Sequence, residues 1–390
     1  MVTLEELIAT RQGSVNPASF ADETFELYSI PAFDSRKPEI LKGRDIGSTK
    51  QVVQPRDVLL SKIVPHIRRS WIVGPAENYR QIASGEWIVF RSARVVPEYL
   101  RHALLCDDFH AQFMQTVSGV GGSLLRARPA QVAKIRVPLP SLPEQRRIAA
   151  ILDKADALCA KRREALAQLD HLAQSIFVEM FGDPIANDRN WPAAKVSDFV
   201  AGFESGKSLV ADDEDEITAE FRVLKISAVT SLEYRPEQSK AVPADYAPPT
   251  SHFVRNGDLL FSRANTTDLI GATALVRNTP DNLLLPDKLW RFVWFDEPRA
   301  SVLYVRQLFQ QPKFRLEVGK RASGSSGSMQ NISQPKVLSI PVGLPPLGMQ
   351  CEFSKRVAEI DALKRHHQQT LNALDNLFAS LQHRAFRGEL

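Results

Sequence analysis

The residues best equipped for chemistry in this chain are its arginines, lysines and carboxamides, and they recur at matched places. One group is Lys62, Arg68, Arg69, Arg91, Arg126 and Arg128. A second is Arg263, Asn265, Arg291, Arg321, Ser325, Gln330 and Asn331. Arginine reads guanine, and asparagine or glutamine reads adenine, through paired hydrogen bonds in a major groove. Two polar glycine loops, Ser118-Gly-Val-Gly-Gly-Ser123 and Ser323-Gly-Ser-Ser-Gly-Ser328, could hold phosphates through backbone N–H groups and hydroxyls. Both groups are therefore candidate contacts to double-stranded DNA. The bland reading is that single arginines are solvated surface. The correlated pair Lys62/Arg263 and the paired loops carry more weight than any lone side chain.

Enzymatic patterns are missing. Gly202-Phe-Glu-Ser-Gly206-Lys207-Ser208 has three residues between its glycines where a phosphate loop needs four. Gly119-Val-Gly-Gly122 is not a dinucleotide fingerprint. The Asn-Pro-Pro-Tyr of an amino-methyltransferase is absent, and Ala247-Pro-Pro-Thr250 does not replace it. Pro286-Asp287 suggests a nuclease, but no downstream acid-x-Lys completes it. The acidic run Asp212-Asp-Glu-Asp-Glu216 lacks calcium-loop spacing and reads as a solvated loop. Three distant cysteines and eight scattered histidines give neither a disulfide framework nor a zinc site. Cys159 reads as structural. No catalytic residue, metal or cofactor is assigned to the chain. Its +4 net charge permits nucleic-acid binding without requiring it. The opening MVTLEELIATRQGS is no signal peptide and no apolar run is long enough to span a membrane, so a cytoplasmic protein is expected.

The elements that would position these residues are duplicated. Shifted by 205 residues, Tyr99-Leu-Arg-His-Ala-Leu meets Tyr304-Val-Arg-Gln-Leu-Phe, and Gln131-to-Pro140 meets Lys336-to-Pro345. Gln145 meets Gln350, Asp156-Ala-Leu meets Asp361-Ala-Leu, and Phe181 meets Phe386. With small gaps, Asp57-Val-Leu-Leu-Ser-Lys62 meets Asp258-Leu-Leu-Phe-Ser-Arg263, and Trp87 meets Trp290. Each half begins with short β-type runs punctuated by Gly, Pro and Asn: 56–63, 71–73 and 87–91, then 221–229, 258–262 and 289–295. A helix is expected inside each, near 97–116 and 299–318. Each half then ends in a stretch free of Pro and Gly, Glu144 to Phe181 and Met349 to Arg387, which predicts a long helix. Heptads suggest a seam of Ile151, Leu158, Ala165 and Leu172 with Ala155, Arg162, Leu169 and Ile176. In the second helix it is Leu363, Thr370 and Leu377 with Ile360, His367, Leu374 and Leu381. Arg162 and His367 interrupt it at equivalent heptads.

The expected class is α+β: two duplicated mixed α/β domains, separated by two long helices that form an antiparallel coiled coil. The boundaries are 1–140 and 185–345 for the domains, and 141–184 and 346–390 for the helices.

These residues resemble the specificity (S) subunit of type I restriction-modification enzymes. The likeness rests on Val137-Pro-Leu-Pro-Ser-Leu-Pro-Glu-Gln-Arg-Arg-Ile-Ala-Ala-Ile-Leu-Asp-Lys-Ala-Asp-Ala-Leu158 and Phe177-to-Pro184. Gly257-to-Arg263 and the terminal Phe386-Arg-Gly-Glu-Leu390 also match. The resemblance implies two target-recognition domains, each reading half of a split DNA sequence, with the helices as a ruler for the spacer. It implies no catalysis by this chain. Two methyltransferase (M) subunits would bring S-adenosylmethionine, and restriction (R) subunits, where present, would bring ATP and Mg chemistry. The first domain departs from the second in having Pro55-Arg-Asp57 where the second has Asn256-Gly-Asp258. Divergence upstream of these strands implies two different half-sites. The competing readings are a non-DNA protein-interaction scaffold and an enzyme with an unusual site.

Overall fold

The computed structural model describes residues 1–10, 13–119, 125–208, 220–243, 245–326 and 329–390. The acidic run 212–216 and most of the first glycine loop, 120–123, lie outside the described residues, as do Gly327 and Ser328 of the second. The chain mixes helices and sheets in two compact units: Met1–Glu164 with Gln368–Leu390, and Ala165–His367.

Two helices dominate, Leu142–Phe181 and Leu347–Arg387. The first, at 40 residues, is about 60 Å long at 1.5 Å per residue. Pro143 sits in its first turn, where no N–H partner is lost. Gly182 stops it at φ +71°, a left-handed conformation that a Cβ would penalise.

Each unit contains a segment of both helices, and within each unit the segments run antiparallel. In the first unit Arg163 and Cys159 meet Asp375, while Arg147 reaches the carbonyl of Leu390. In the second, Lys364 meets Asp170, while Phe353 packs on Phe177 and Phe181. Asp170 and Asp375 are repeat equivalents, as are Cys159 and Lys364, so the same crossing is built twice.

The buried stripe differs from the heptads read in the sequence. Leu152, Ala155, Cys159 and Ala173 are buried, whereas Leu158 and Leu172 are 46% and 47% exposed. Val357, Ile360 and Leu371 are buried, whereas Leu363 and Leu377 are 46% and 50% exposed. Ala155, Arg162, Leu169, Ile176, Ile360, His367, Leu374 and Leu381 lie buried or half-buried, on the stripe. In the other set Ile151, Ala165 and Thr370 are half-buried while Leu158, Leu172, Leu363 and Leu377 are exposed, and the stripe runs one residue further on. Its places belong to Leu152, Cys159, Leu166, Ala173, Lys364, Leu371 and Phe378. Apolar content alone points to the leucines, but beside Leu158, Leu172 and Leu363 the stripe is filled by the small or polar Cys159, Ala173 and Lys364.

In the first unit, a five-stranded sheet runs in the order Ser14–Val15, Lys50–Val52, Arg80–Ala83, Thr24–Tyr28, Glu39–Lys42. Only Thr24–Tyr28 and Arg80–Ala83 pair in parallel. A second, antiparallel sheet places Val58–Ser61 between Ser70–Ile72 and Trp87–Phe90. In the second unit, Gly202–Ser205, Leu289–Val293, Leu259–Ser262 and Thr273–Leu275 form the matching antiparallel sheet. The run 221–229 is a strand, Arg222–Leu224, followed by a short helix, Ser227–Thr230.

The internal helix of each half is broken in two: Pro97–Ala103 and Asp107–Gln115, then Val302–Gln310 and Pro312–Arg321. Pro312 opens the last of these, and extended Gln311 and Cys106 make the breaks.

Aromatic side chains join the long helices to the cores. In the second unit Phe181 meets Tyr304 at 5.1 Å, and in the first Phe386 meets Tyr99 at 5.5 Å. A buried glutamine repeats at the start of each helix. Gln145 accepts from the Val96 N–H and donates to the carbonyls of Arg94 and Pro140. Gln350 accepts from the Ser301 N–H and donates to the Pro345 carbonyl. Val96 and Ser301 are the N-cap residues of the helices at Pro97 and Val302. Each glutamine therefore satisfies an otherwise orphaned helix-start N–H.

Candidate nucleic-acid interface

The strands Val58–Ser61 and Leu259–Ser262 end in Lys62 and Arg263, and the same backbone frame holds both. The N–H of Lys62 donates to Glu86 and its carbonyl accepts from Ala127. The N–H of Arg263 donates to Lys288 and its carbonyl accepts from Ile332. One residue on, Ile63 bridges to Arg126, and Ala264 pairs with Asn331. The structure thus brings Lys62 beside Arg126 in the first unit. In the second it brings Arg263 beside Asn265, Gln330 and Asn331. The segment that follows each glycine loop is what closes the frame.

In the second unit these residues border an open cleft of about 560 Å³. Arg263, Trp290, Ser323, Asn331, Gln334 and Lys336 line it. Arg263 donates its Nε–H to the Asp287 carbonyl at 2.8 Å, and its guanidinium carbon lies 5.9 Å from the Trp290 ring centroid. Asn265 accepts from the Thr266 N–H. Ser325 belongs to the strand Ser323–Ser326, which pairs with Met329–Asn331. In the first unit Arg126 faces Glu86, with Nε and Nη2 each 3.3 Å from a carboxylate oxygen. Arg128 donates to the Thr116 carbonyl.

Other candidates are held elsewhere. Arg91 makes a bidentate pair with Asp57, at 2.7 and 2.6 Å, and the carboxylate of Asp57 is buried. Asp57 also accepts from the Gln54 N–H, as Asp258 does from the Arg255 N–H. Arg291 closes the second version: it reaches Asp258, Glu204 and the carbonyls of Ser251 and Phe253. These two arginines tie a turn to a strand and do not join the groups around Lys62 and Arg263. The turn accounts for the sequence departure noted above. Gly257 takes φ +94°, and Arg56 adopts φ +72° in its place. Arg68 pairs with Asp107 at 2.6 Å. Arg69 is 11% exposed and lies 3.6 Å from Asp34. Arg321 is bound to Glu317 on its own helix.

Three residues at the interface were missed: Glu86, Asp287 and Lys336. The first two lie just before or near the repeated tryptophans Trp87 and Trp290, which was the available signal.

Elsewhere in each unit, ion pairs fasten the sheet-bearing part to its helix segment. Arg306 grips Asp361 through Nη1–Oδ2 at 2.7 Å and Nη2–Oδ1 at 3.1 Å, and Arg277 adds 2.9 Å. At the equivalent place Arg101 and His102 share Asp153, at 2.9 and 2.8 Å. Burial pushes the His102 ring below the usual histidine range, against the pull of Asp153. Burial alone would lower Lys364, but hydrogen bonds to Asp170 and Glu233 outweigh it and raise its pKa.

Comparison with known proteins agrees with this architecture. Residues 84–169 match the family model for the type I restriction modification DNA specificity domain. The Escherichia coli type I restriction enzyme EcoEI specificity subunit is 30% identical over 170 residues, 43% of this chain and 28% of that protein. The EcoKI specificity subunit of Escherichia coli strain K12 is 26% identical over 288 residues, 69% of this chain and 61% of the relative. A solved structure described as the basis of complex assembly and conformational transition of the type I R-M system aligns with TM-score 0.55 and 21% identity. That alignment covers all of this chain and 97% of the other. The type I S subunit from M. genitalium aligns with TM-score 0.54 and 13% identity, over 99% and 95% of the two chains. Over residues 84–169 the chain thus matches a type I restriction modification DNA specificity domain, and it is similar to type I specificity subunits over a larger part of its length. It spans 28% and 61% of the length of the two curated relatives described.

Proposed function

We propose that this chain is the DNA-reading specificity subunit of a type I restriction-modification complex. It recognises a bipartite target with its two recognition regions and scaffolds the methyltransferase and restriction subunits. The observation that carries this reading is the backbone frame built twice with different side chains. Lys62 and Arg126 occupy it once, and Arg263 and Asn331 the second time. Two cations and a cation with a carboxamide match different base edges, so the half-sites differ. The glycine loops and neighbouring basic groups anchor phosphates and set register without reading sequence.

On this reading the chain performs no catalysis. S-adenosylmethionine, ATP and Mg reside on the partner subunits. No helix among the described residues is long and apolar enough to cross a membrane, and we place the complex in the cytoplasm with the DNA it modifies. The test is co-expression with a methyltransferase subunit, followed by single-molecule methylome sequencing. The expected result is a two-part motif with a fixed gap that disappears when this chain is deleted. Methylation independent of the chain would overturn the reading.

A further inference from the structure

Each recognition region places a carboxylate on the face that carries its basic side chains. In the first unit Glu86 lies opposite the Arg126 fork, 3.3 Å from both Nε and Nη2. In the second, Asp287 holds Arg263 by its backbone carbonyl at 2.8 Å, and its carboxylate lies 3.7 Å from Nη2. Both acids precede an equivalent strand, Trp87–Phe90 or Leu289–Val293; the Glu86 carbonyl itself accepts the Lys62 N–H, and Asp287 adjoins Lys288, whose carbonyl accepts the Arg263 N–H.

Stability does not account for these pairs. The side chains of Arg126 and Glu86 are 47% and 31% exposed, those of Arg263 and Asp287 30% and 31%. Pairs so open to water add little to stability. On a surface meant for a polyanion, a carboxylate also costs affinity for phosphate.

We propose that Asp287 and Glu86 are specificity-determining positioning residues; the proposal rests on the DNA-reading function above. Tying Nε of Arg263 to the backbone commits that N–H and leaves Nη1 and Nη2 for a base edge, with Nη2 3.7 Å from the Asp287 carboxylate. The Trp290 ring lies alongside, its centroid 5.9 Å from the guanidinium carbon. A guanidinium pairs with guanine O6 and N7 through two N–H groups. Fixing it beforehand removes rotamer freedom that would otherwise be lost on binding. The adjacent negative charge disfavours engagement through phosphates alone. The cognate base must therefore compete with the carboxylate for the arginine, and a wrong base leaves the arginine at home. Glu86 sets the same competition through its carboxylate, which faces both Nε and Nη2 of Arg126.

The test uses the assembled complex with its methyltransferase subunits, after its motif is known from methylome sequencing. Asp287→Asn and Glu86→Gln keep size and remove charge. Affinity is measured for the cognate duplex and for duplexes altered in one half-site. Each variant is expected to bind altered duplexes more tightly, with the cognate-to-altered ratio falling about tenfold, roughly the discrimination of one good base contact. The relaxation should be confined to the half-site read by the mutated unit. Asp287→Asn and Glu86→Gln should therefore relax opposite halves of the methylated motif. An unchanged ratio, or equal loss for all duplexes, would overturn the proposal and leave a structural role. A wild-type complex that confers no motif would instead remove the DNA-reading function itself.

Discussion

Removal of the Asp361 carboxylate should cost far more than removal of its repeat equivalent, Asp156. Asp361 and Arg306 each expose only 12% of their side chains, and two hydrogen bonds join them. The Nε of Arg306 is buried and has no partner among the described residues. Asp361→Ala would leave that guanidinium charged, dry and without its carboxylate. Breaking a buried pair from one side costs about 3–5 kcal/mol. Arg277, 34% exposed, can turn its charge toward water, which puts the expected loss near about 3 kcal/mol. Asp156 is 49% exposed and 3.7 Å from Arg101, which keeps its closer contact to Asp153. Asp156→Ala should therefore cost less than about 1 kcal/mol. The assay is urea unfolding followed by hydrogen exchange, which reports peptides of each unit separately. With a urea slope of about 2 kcal/mol per molar, Asp361→Ala should lower the midpoint of peptides from 165–367 by about 1.5 M. Peptides of the other unit should not shift. Equal effects of the two alanine variants, or no effect of Asp361→Ala, would refute the claim that buried ion pairing fastens this region to its helix.

Four further outcomes are expected. Lys62→Ala and Arg263→Ala should each weaken DNA binding by the assembled complex, and a side chain that contacts phosphate should lower the salt slope by about one; unchanged affinity and slope would remove that residue from the interface. His102 is held neutral by burial, so its contribution is complete above the unfolded pKa of about 6.5 and is lost as pH falls toward its lower folded value. First-unit stability should decline on acidification below about pH 6.5, and His102→Gln, which copies Gln307 of the second repeat, should flatten that decline; the same slope in both proteins would contradict it. Leu371→Ala should cost about 2–4 kcal/mol and Leu377→Ala under about 1, since the first is 6% and the second 50% exposed; the reverse order in thermal unfolding would restore the heptads read in the sequence. Arg56→Gly should stabilise the first unit by up to about 1 kcal/mol by relieving a left-handed backbone, as seen in its melting temperature.

Much of this architecture is legible in the sequence because duplication doubles every signal. The long helices announce themselves by the absence of Pro and Gly, and the matched strands by their shared Leu-Ser-Lys and Phe-Ser-Arg endings. The five-stranded sheet of the first unit is not legible, since its strands are two to five residues long and too short for alternation to show. The stripe along the helices lies one residue from the leucines that the heptads mark, which stand out because Leu158 and Leu363 are more apolar than the Cys159 and Lys364 that follow them. Apolar spacing cannot reveal that Cys159 and Lys364 are partnered with Asp375 and Asp170. At the interface, Lys62, Arg126, Arg263 and Asn331 could be grouped from the repeat alone. Arg91 and Arg291 could not be set aside, because Asp57 and Asp258 are 34 and 33 residues away in the chain.

The division of the chain also has a consequence for biosynthesis. The second unit is one continuous stretch, 165–367, but the first needs residues 368–390 to be whole. Its Ile148, Leu152 and Cys159 leave the ribosome long before Leu371, Phe378 and Ala385. At about 5–20 residues per second, the intervening chain takes on the order of ten to forty seconds to make. The second unit can thus finish folding before the first, although the first is translated earlier. Throughout that interval the part of the helix's apolar stripe that faces residues 368–390 waits uncovered for its partner.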